Sequence, residues 1–293
     1  MKEKNTHIIK NRAPFLKKLV IATVAAAIGL VLFSLTLFHL VPARIYEKVL
    51  VEEFLEKTGL LLESDSFDTA FPLGFKLDGL RVANRGGNVM RLDRLRADFN
   101  PLGILTGLKV DVRGEAGKGV IEGSIISGLN SSSIDIEARG MGFSYLDALA
   151  RAGLVLDGTF DSSVSIAVRG GCPNGFARLE GTELRGAELR FRGMPLPFDG
   201  IDEAGFSADL KDCSIRLNGL WIDGAQISMR LLGDIRISRP LSESPVDMTI
   251  EIVPHGDLLE KQYMLSPIAN YRKSANFYSI PLKGTLGGLS SGL

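Results

Sequence analysis

The sequence predicts a mainly β protein: an N-terminal transmembrane helix, then a mostly antiparallel, repetitive β-sheet with one or two short helices. Three observations carry this expectation. Leu19 to Val41 form an apolar run without a charged side chain. From residue 75 onward apolar and polar side chains alternate with a period of two, which sends successive side chains to opposite faces of a sheet. The connections between the alternating runs are short and rich in Gly, Asp, Asn and Ser, the residues that tight turns require.

Taken as a helix rising about 1.5 Å per residue, Leu19 to Val41 measures roughly 35 Å, enough for a hydrocarbon core of about 30 Å. Ahead of it stand Lys2, Lys4, Lys10, Arg12, Lys17 and Lys18 against Glu3 alone; behind it Arg44, Lys48 and Lys57 mix with Glu47, Glu52, Glu53 and Glu56. Basic flanks resist translocation, so the N-terminus is expected in the cytoplasm and the bulk outside it, which in a bacterium is the periplasm. The expected location is therefore the inner (cytoplasmic) membrane. The rival reading is a cleaved signal peptide ending at Val41-Pro42-Ala43. The run is longer than the usual ~7–15 apolar residues and the proline does not help cleavage, so an uncleaved anchor is favoured. The organisation expected is a basic cytoplasmic tail (1–18), the transmembrane helix (19–41), a membrane-proximal amphipathic helix (42–60), a periplasmic β domain (61–286) and a flexible tail (287–293).

In the stretch from Ala43 to Thr58, Tyr46, Leu50 and Phe54 recur every four residues and Gly59 is a stop signal, so a helix packed on the start of the β domain is expected. The cleanest strand signals are Leu108–Val112, Ile134–Ala138, Val164–Val168, Phe206–Leu210, Cys213–Leu217, Ile227–Leu231 and Val246–Ile252. Each has one apolar and one polar face, which argues for antiparallel sheet solvated on one side. One internal helix is expected, opened by a capping box at Ser144-Tyr-Leu146-Asp147, with Leu146, Leu149 and Ala150 on one face and Gly153 ending it. So short a helix cannot cover the sheet alone. The apolar faces must meet each other or hold something else apolar.

Leu179 to Leu189 aligns without gaps on Leu217 to Ile227, and the matched glycines fall where the hydrophobic phase slips by one residue, as a bulge or tight turn would require. A similar slip occurs at Leu77-Asp78-Gly79-Leu80.

Lys+Arg and Asp+Glu are each 34, so the formal net charge is zero, which argues against nucleic acid as a partner. Cys172 and Cys213 lie in a compartment that permits a disulfide; spacing leaves a bridge and two free thiols equally open. No enzyme is expected, and neither a cofactor nor a metal. Gly288-Leu-Ser290-Ser-Gly292 matches the letters of a serine-hydrolase elbow but lacks the helix and the downstream acid and histidine. His255, the one histidine well beyond the membrane segment, sits in a loop without catalytic company. Gly117-Lys118-Gly119 falls short of a phosphate loop, and Asp157 and Asp161 read as turn formers rather than calcium ligands.

Several loose Gly- and Leu-based stretches resemble one family: Phe71-Pro-Leu-Gly-Phe-Lys-Leu-Asp-Gly-Leu-Arg-Val82, Leu92-Asp-Arg-Leu95, Asn100-Pro-Leu-Gly-Ile-Leu-Thr-Gly107, Leu156-Asp-Gly-Thr-Phe160, Gly193-Met-Pro-Leu-Pro-Phe198 and Ile280-Pro-Leu-Lys-Gly-Thr-Leu286. With the membrane segment, they resemble the type II secretion system protein N family, in the form whose exported domain looks like the AsmA superfamily. The resemblance implies a curved, repetitive β-sheet forming an AsmA-like groove or open sandwich, and no catalytic residues. It also implies an inner-membrane-anchored periplasmic accessory or assembly component of the type II protein secretion system, in contact with other secretion-system or envelope proteins. The alternative is a lipid-binding or lipid-transfer module whose apolar strand faces line the groove. Its candidate groove face is Ile215, Leu217, Ile227, Met229, Leu231, Met248 and Ile250.

Overall fold

The computed structural model describes residues 21, 25, 29, 32–33, 35–84, 86–100, 107–128, 131–151, 154–191, 194–196, 201–238, 243–260, 262–285 and 288–291. Helix α1 (Ala43–Thr58) leads into β1 (Leu61–Glu63), β2 (Ser66–Ala70), β3 (Gly74–Asn84), β4 (Gly87–Asn100), β5 (Leu108–Ala116), β6 (Gly119–Ser127) and β7 (Ser131–Gly142). A 3-10 turn (Phe143–Tyr145) and α2 (Asp147–Arg151) precede β8 (Leu154–Arg169), β9 (Cys172–Phe191), β10 (Met194–Leu196), β11 (Ile201–Lys211), β12 (Ser214–Gly224), β13 (Ile227–Arg236) and β14 (Pro245–Pro254). After α3 (Gly256–Glu260) and a 3-10 segment (Gln262–Tyr271) come β15 (Arg272–Ser274), β16 (Phe277–Thr285) and β17 (Gly288–Ser291).

All strands belong to one sheet, and every pairing is antiparallel between strands close in sequence. From β2 to β9 each strand pairs with the next; β9 then pairs with β11, and the row continues through β12, β13, β14, β16 and β17. β1, β10 and β15 are short additions on β3, β9 and β16. With about 4.8 Å between neighbours, the row measures roughly 60 Å along its contour.

Tight turns occur at both ends of the strands, and at the lower end they include residues 71–73, Gly170–Gly171 and Asp212–Cys213. The last two pairs have positive φ at both positions (62° and 86°; 50° and 59°), the backbone that two-residue hairpins with right-handed twist demand. At the upper end lie the segment 143–151 between β7 and β8 and the segment 256–271 between β14 and β15. Phe143, Leu258, Leu265 and Ile268 from these segments are buried on the sheet's apolar face. Helix α1 covers the first strands, placing Tyr46, Leu50 and Phe54 on the core as their spacing requires.

Phase slips keep the apolar face continuous. Leu77 and Leu80 are both 3% exposed, with Gly79 between them at φ 62°, and the slip is matched on the partner strand because Leu77 faces Leu95 and Leu80 faces Leu92. In β7 the extra residue at Arg139–Gly140 lets Ala138 and Met141 share the buried face. Gly219 likewise lies in a bulge between β12 and its neighbours. The echo between 179–189 and 217–227 does not describe one repeated unit, since Gly224 ends β12 at a turn whereas Gly186 lies inside β9.

Other expectations change. The first internal helix begins as a 3-10 turn containing Ser144, and α2 starts only at Asp147. The helical segment 256–271, a short α-helix followed by 3-10 turns that contain Pro267, is not among the elements expected. Cys213 belongs to the turn rather than to the strand after it. In the expected tail, Gly288–Ser291 pairs with β16, its backbone groups completing the ladder. The expected membrane span falls largely outside the described residues; among those described, no helix is long and apolar enough to cross a membrane, and residues 35–40 are helical. Residues 1–18, Pro101–Thr106, Asn130, Gly153, Gly193 and Pro197–Phe198 also lie outside them.

Cys172 and Cys213 are joined, with Cα atoms 4.8 Å apart. The bridge ties the β8–β9 tip to the β11–β12 tip, which the β9–β11 pairing already makes neighbours. Closing a loop with a sequence separation of 41 is worth about 4 kcal/mol in the chain-entropy picture. Cys213→Ser is therefore expected to lower the urea midpoint of the oxidised protein to that of the reduced wild type. Equal midpoints for oxidised wild type and variant would disprove the link.

Candidate apolar groove

The register joins apolar positions of successive strands into rows across the sheet. One row runs Phe75, Ala97, Val112, Gly123, Ile136, Val164, Ala177, Ala208, Leu217, Gly233, Met248, Leu282, each directly opposite the next. No polar side chain interrupts it. A second row, nearer the lower end, carries Phe99, Val110, Ile125, Ile134 and Ile166. The glycines of the first row are sites of close approach, since a Cβ on Gly123 or Gly233 would meet the backbone of the neighbouring strand.

Burial along these rows is uneven. Ala116, Ile121, Ala138, Met141 and Phe160, in the upper half, are buried beneath the segment 143–151. At the far end of the lower half a second cluster closes around Ala208, Leu217, Val246 and Met248. At the near end Phe75 is surrounded by the rings of Phe38, Tyr46, Phe67 and Phe99 at 5.0–5.7 Å. Between these two closed ends, Val110, Val112, Ile125, Ile134, Val164, Ile166 and Val168 are only half-buried, and Leu108 is exposed. In β5 the strict burial alternation of residues 113–116 fades over 109–112, although the sequence alternation persists.

The opposite face is charged. Arg96 pairs with Asp98 (2.8 Å), Arg94 with Glu115 (3.0 Å), Lys109 with Asp111 (3.0 Å) and Arg139 with Glu137 (2.7 Å). Hydrogen bonding to Asp98 raises the Arg96 guanidinium pKa further, and the hydrogen bond from Lys76 holds the Asp78 carboxyl below its usual range, with Ser66 and Arg94 adding to it. A depression of about 560 Å³ lined by Lys109, Asp111, Asp135 and Ser165 lies among such self-satisfied groups.

The covering segment 143–151 is bolted down by polar contacts. Tyr145 donates its hydroxyl to Asp93 Oδ2 (2.9 Å), which also accepts the Gly117 N–H (2.6 Å), while Arg91 reaches the Ser144 carbonyl (2.8 Å) and the Asp147 carboxylate (3.0 Å). The bond to Asp93 pushes the Tyr145 pKa upward. Gly117 and Lys118 thus form a hairpin turn tied to this clasp.

All seven candidate groove residues share the apolar face: Ile215 and Leu217 on β12, Ile227, Met229 and Leu231 on β13, Met248 and Ile250 on β14. Ile227, Leu217 and Met248 are buried and the other four are half-buried against the core clusters, so they form the closed part of the face. Its open part, on β5 to β8, was missed. The alternating runs at Leu108, Ile134 and Val164 were visible, but nothing in them tells which stretch a helix will cover. His255 hydrogen-bonds Ser228 Oγ (2.9 Å) and its N–H donates to the Gln226 carbonyl, fastening the β12–β13 turn. Ser290 lies in β17 opposite Lys283. Asp161 accepts the Gly140 N–H (2.7 Å) at the β7 bulge.

These features define a class: a single antiparallel meander, charged on one face, whose other face is an apolar track covered at one strand end and half-open along the other. Comparison with known proteins gave no matching family model, curated protein or solved structure.

Proposed function

We propose that this chain is a membrane-anchored lipid-binding or lipid-transfer module of the AsmA-like kind, holding acyl chains on its apolar sheet face outside the cytoplasm. The observation that carries the reading is the half-buried stretch from Val110 to Val168, continuous with closed apolar ends and interrupted by no charge. Each methylene moved from water onto such a surface contributes about 0.8 kcal/mol, so binding needs no catalytic group. The test is photocrosslinking in cells with a probe at Ile134 or Val164, against Asp135 or Ser165 on the opposite face. Lipid adducts confined to the first pair are expected. Equal adducts from both faces, or none from Ile134 and Val164, would sink the reading.

A second reading, an accessory component of the type II secretion apparatus, is favoured by the sheet's ends. Among the described residues β2 and β17 each pair with one strand only, so a partner strand has backbone groups to join. Co-isolation with secretion components, lost when β17 is interrupted by proline at Leu289, is the corresponding result.

A further inference from the structure

Most of the exposed large apolar side chains of the described residues lie between residues 21 and 71, and several surround the outer end of the expected membrane run. Phe71, at the tip of the β2–β3 hairpin, is 74% exposed; Leu40 is 72% exposed; Ile45 and Val49, one turn apart on the outer side of α1, are more than half exposed beside Arg44 and Lys48. Water does not favour such a cluster, and a patch of this kind marks a surface that something covers.

The hairpin tip is fastened to the chain leaving that run. His39 Nε2 hydrogen-bonds the Pro72 carbonyl (3.2 Å), its Nδ1 meets Thr69 Oγ1 (3.4 Å), and its ring stacks on Phe71 with centroids 6.2 Å apart. Beside it Phe38 packs on Phe75 (5.7 Å) and Tyr46 (5.0 Å), and Arg96 donates to the Phe71 carbonyl (3.1 Å). Taken as a helix, residues 19–38 measure about 30 Å, the thickness of a hydrocarbon core, which sets His39 at its outer boundary. Phe71 is clamped at that same height.

We propose that the Phe71–Leu73 hairpin tip, with Leu40 and the Ile45–Val49 edge of α1, seats in the outer headgroup layer of the bilayer, a second membrane contact that fixes how the β domain stands on it. Aromatic and basic side chains on an apolar body suit that layer, because ring and alkyl stem dissolve while the charge stays wet. This rests on reading residues 19–41 as a membrane span.

The test uses the full chain reconstituted in phosphatidylethanolamine and phosphatidylglycerol vesicles, with and without bromine on the acyl chains near the headgroup. The emission added by Phe71→Trp over wild type, whose one tryptophan is Trp221, is expected to shift blue and to lose most of its intensity to bromolipid but little to aqueous iodide, with Trp221 emission unchanged as the sign of an intact fold. Leu32→Trp separates the two ideas. If bromolipid quenches Leu32→Trp and leaves Phe71→Trp to iodide, the hairpin contact is wrong and the span stands. If neither is quenched by lipid, the span reading fails and the inference with it. Added emission shielded from both quenchers would assign the patch to a contact within this chain or between its copies and overturn the proposal.

Discussion

Met141→Asp is expected to leave little folded protein at room temperature, whereas Ile134→Asp, on the same face of the same strand, is expected to fold. Met141 is 1% exposed beneath the segment 143–151. Replacing it forfeits roughly 1.5–3 kcal/mol of apolar burial and leaves an unpaired carboxylate in the core, worth several kcal/mol more. Together these approach the whole stability of a typical domain, about 5–15 kcal/mol. Ile134 belongs to the half-buried stretch, where a carboxylate keeps water, so the cost is the lost contacts and β-propensity, about 1–2 kcal/mol. Circular dichroism and urea denaturation of the two variants check the contrast. Equal destabilisation by both would mean that the lower half is closed like the upper.

The second large effect concerns binding rather than folding. Val164→Asp, midway along the apolar row between Ile136 and Ala177, sets a charge where an acyl chain would lie. A carboxylate facing hydrocarbon costs about 3 kcal/mol on insertion scales, roughly a hundredfold in affinity. Lipid recovered with the purified full chain is expected to fall by that order, while Ser165→Asp on the opposite face leaves it unchanged. Quantifying bound lipid by mass spectrometry in the two variants decides it, and undiminished lipid in Val164→Asp would disprove the groove.

The β character was legible because each strand repeats one local rule. Ile134-Asp-Ile136-Glu-Ala138 cannot be placed on a half-wet sheet in any other phase, and Asp212 marks a turn. Tyr46, Leu50 and Phe54 announced the contact of α1 with the sheet in the same way. What failed was long-range. Whether Val164 or Ile227 is covered depends on where Phe143 and Leu258 fold over, and no local pattern in those segments says which strands they will lie on. The bridge between Cys172 and Cys213 was undecidable for the same reason: it depends on β11 pairing with β9 beyond the short β10. Gly288–Ser291 was misjudged because a four-residue strand with Leu289 as its one large side chain owes its place to the ladder beside it rather than to its own pattern.

Because each strand bonds almost wholly to its neighbours in sequence, the sheet works as a ruler. One more hairpin inserted at a lower tip such as Gly170–Gly171 would add two rungs and about 10 Å of track, with the apolar rows, the charged face and both ends unchanged. The length of apolar surface that such a sheet lays end to end is thus written in the number of its hairpins, a quantity that can grow or shrink by duplication without any residue of the rows having to be redesigned.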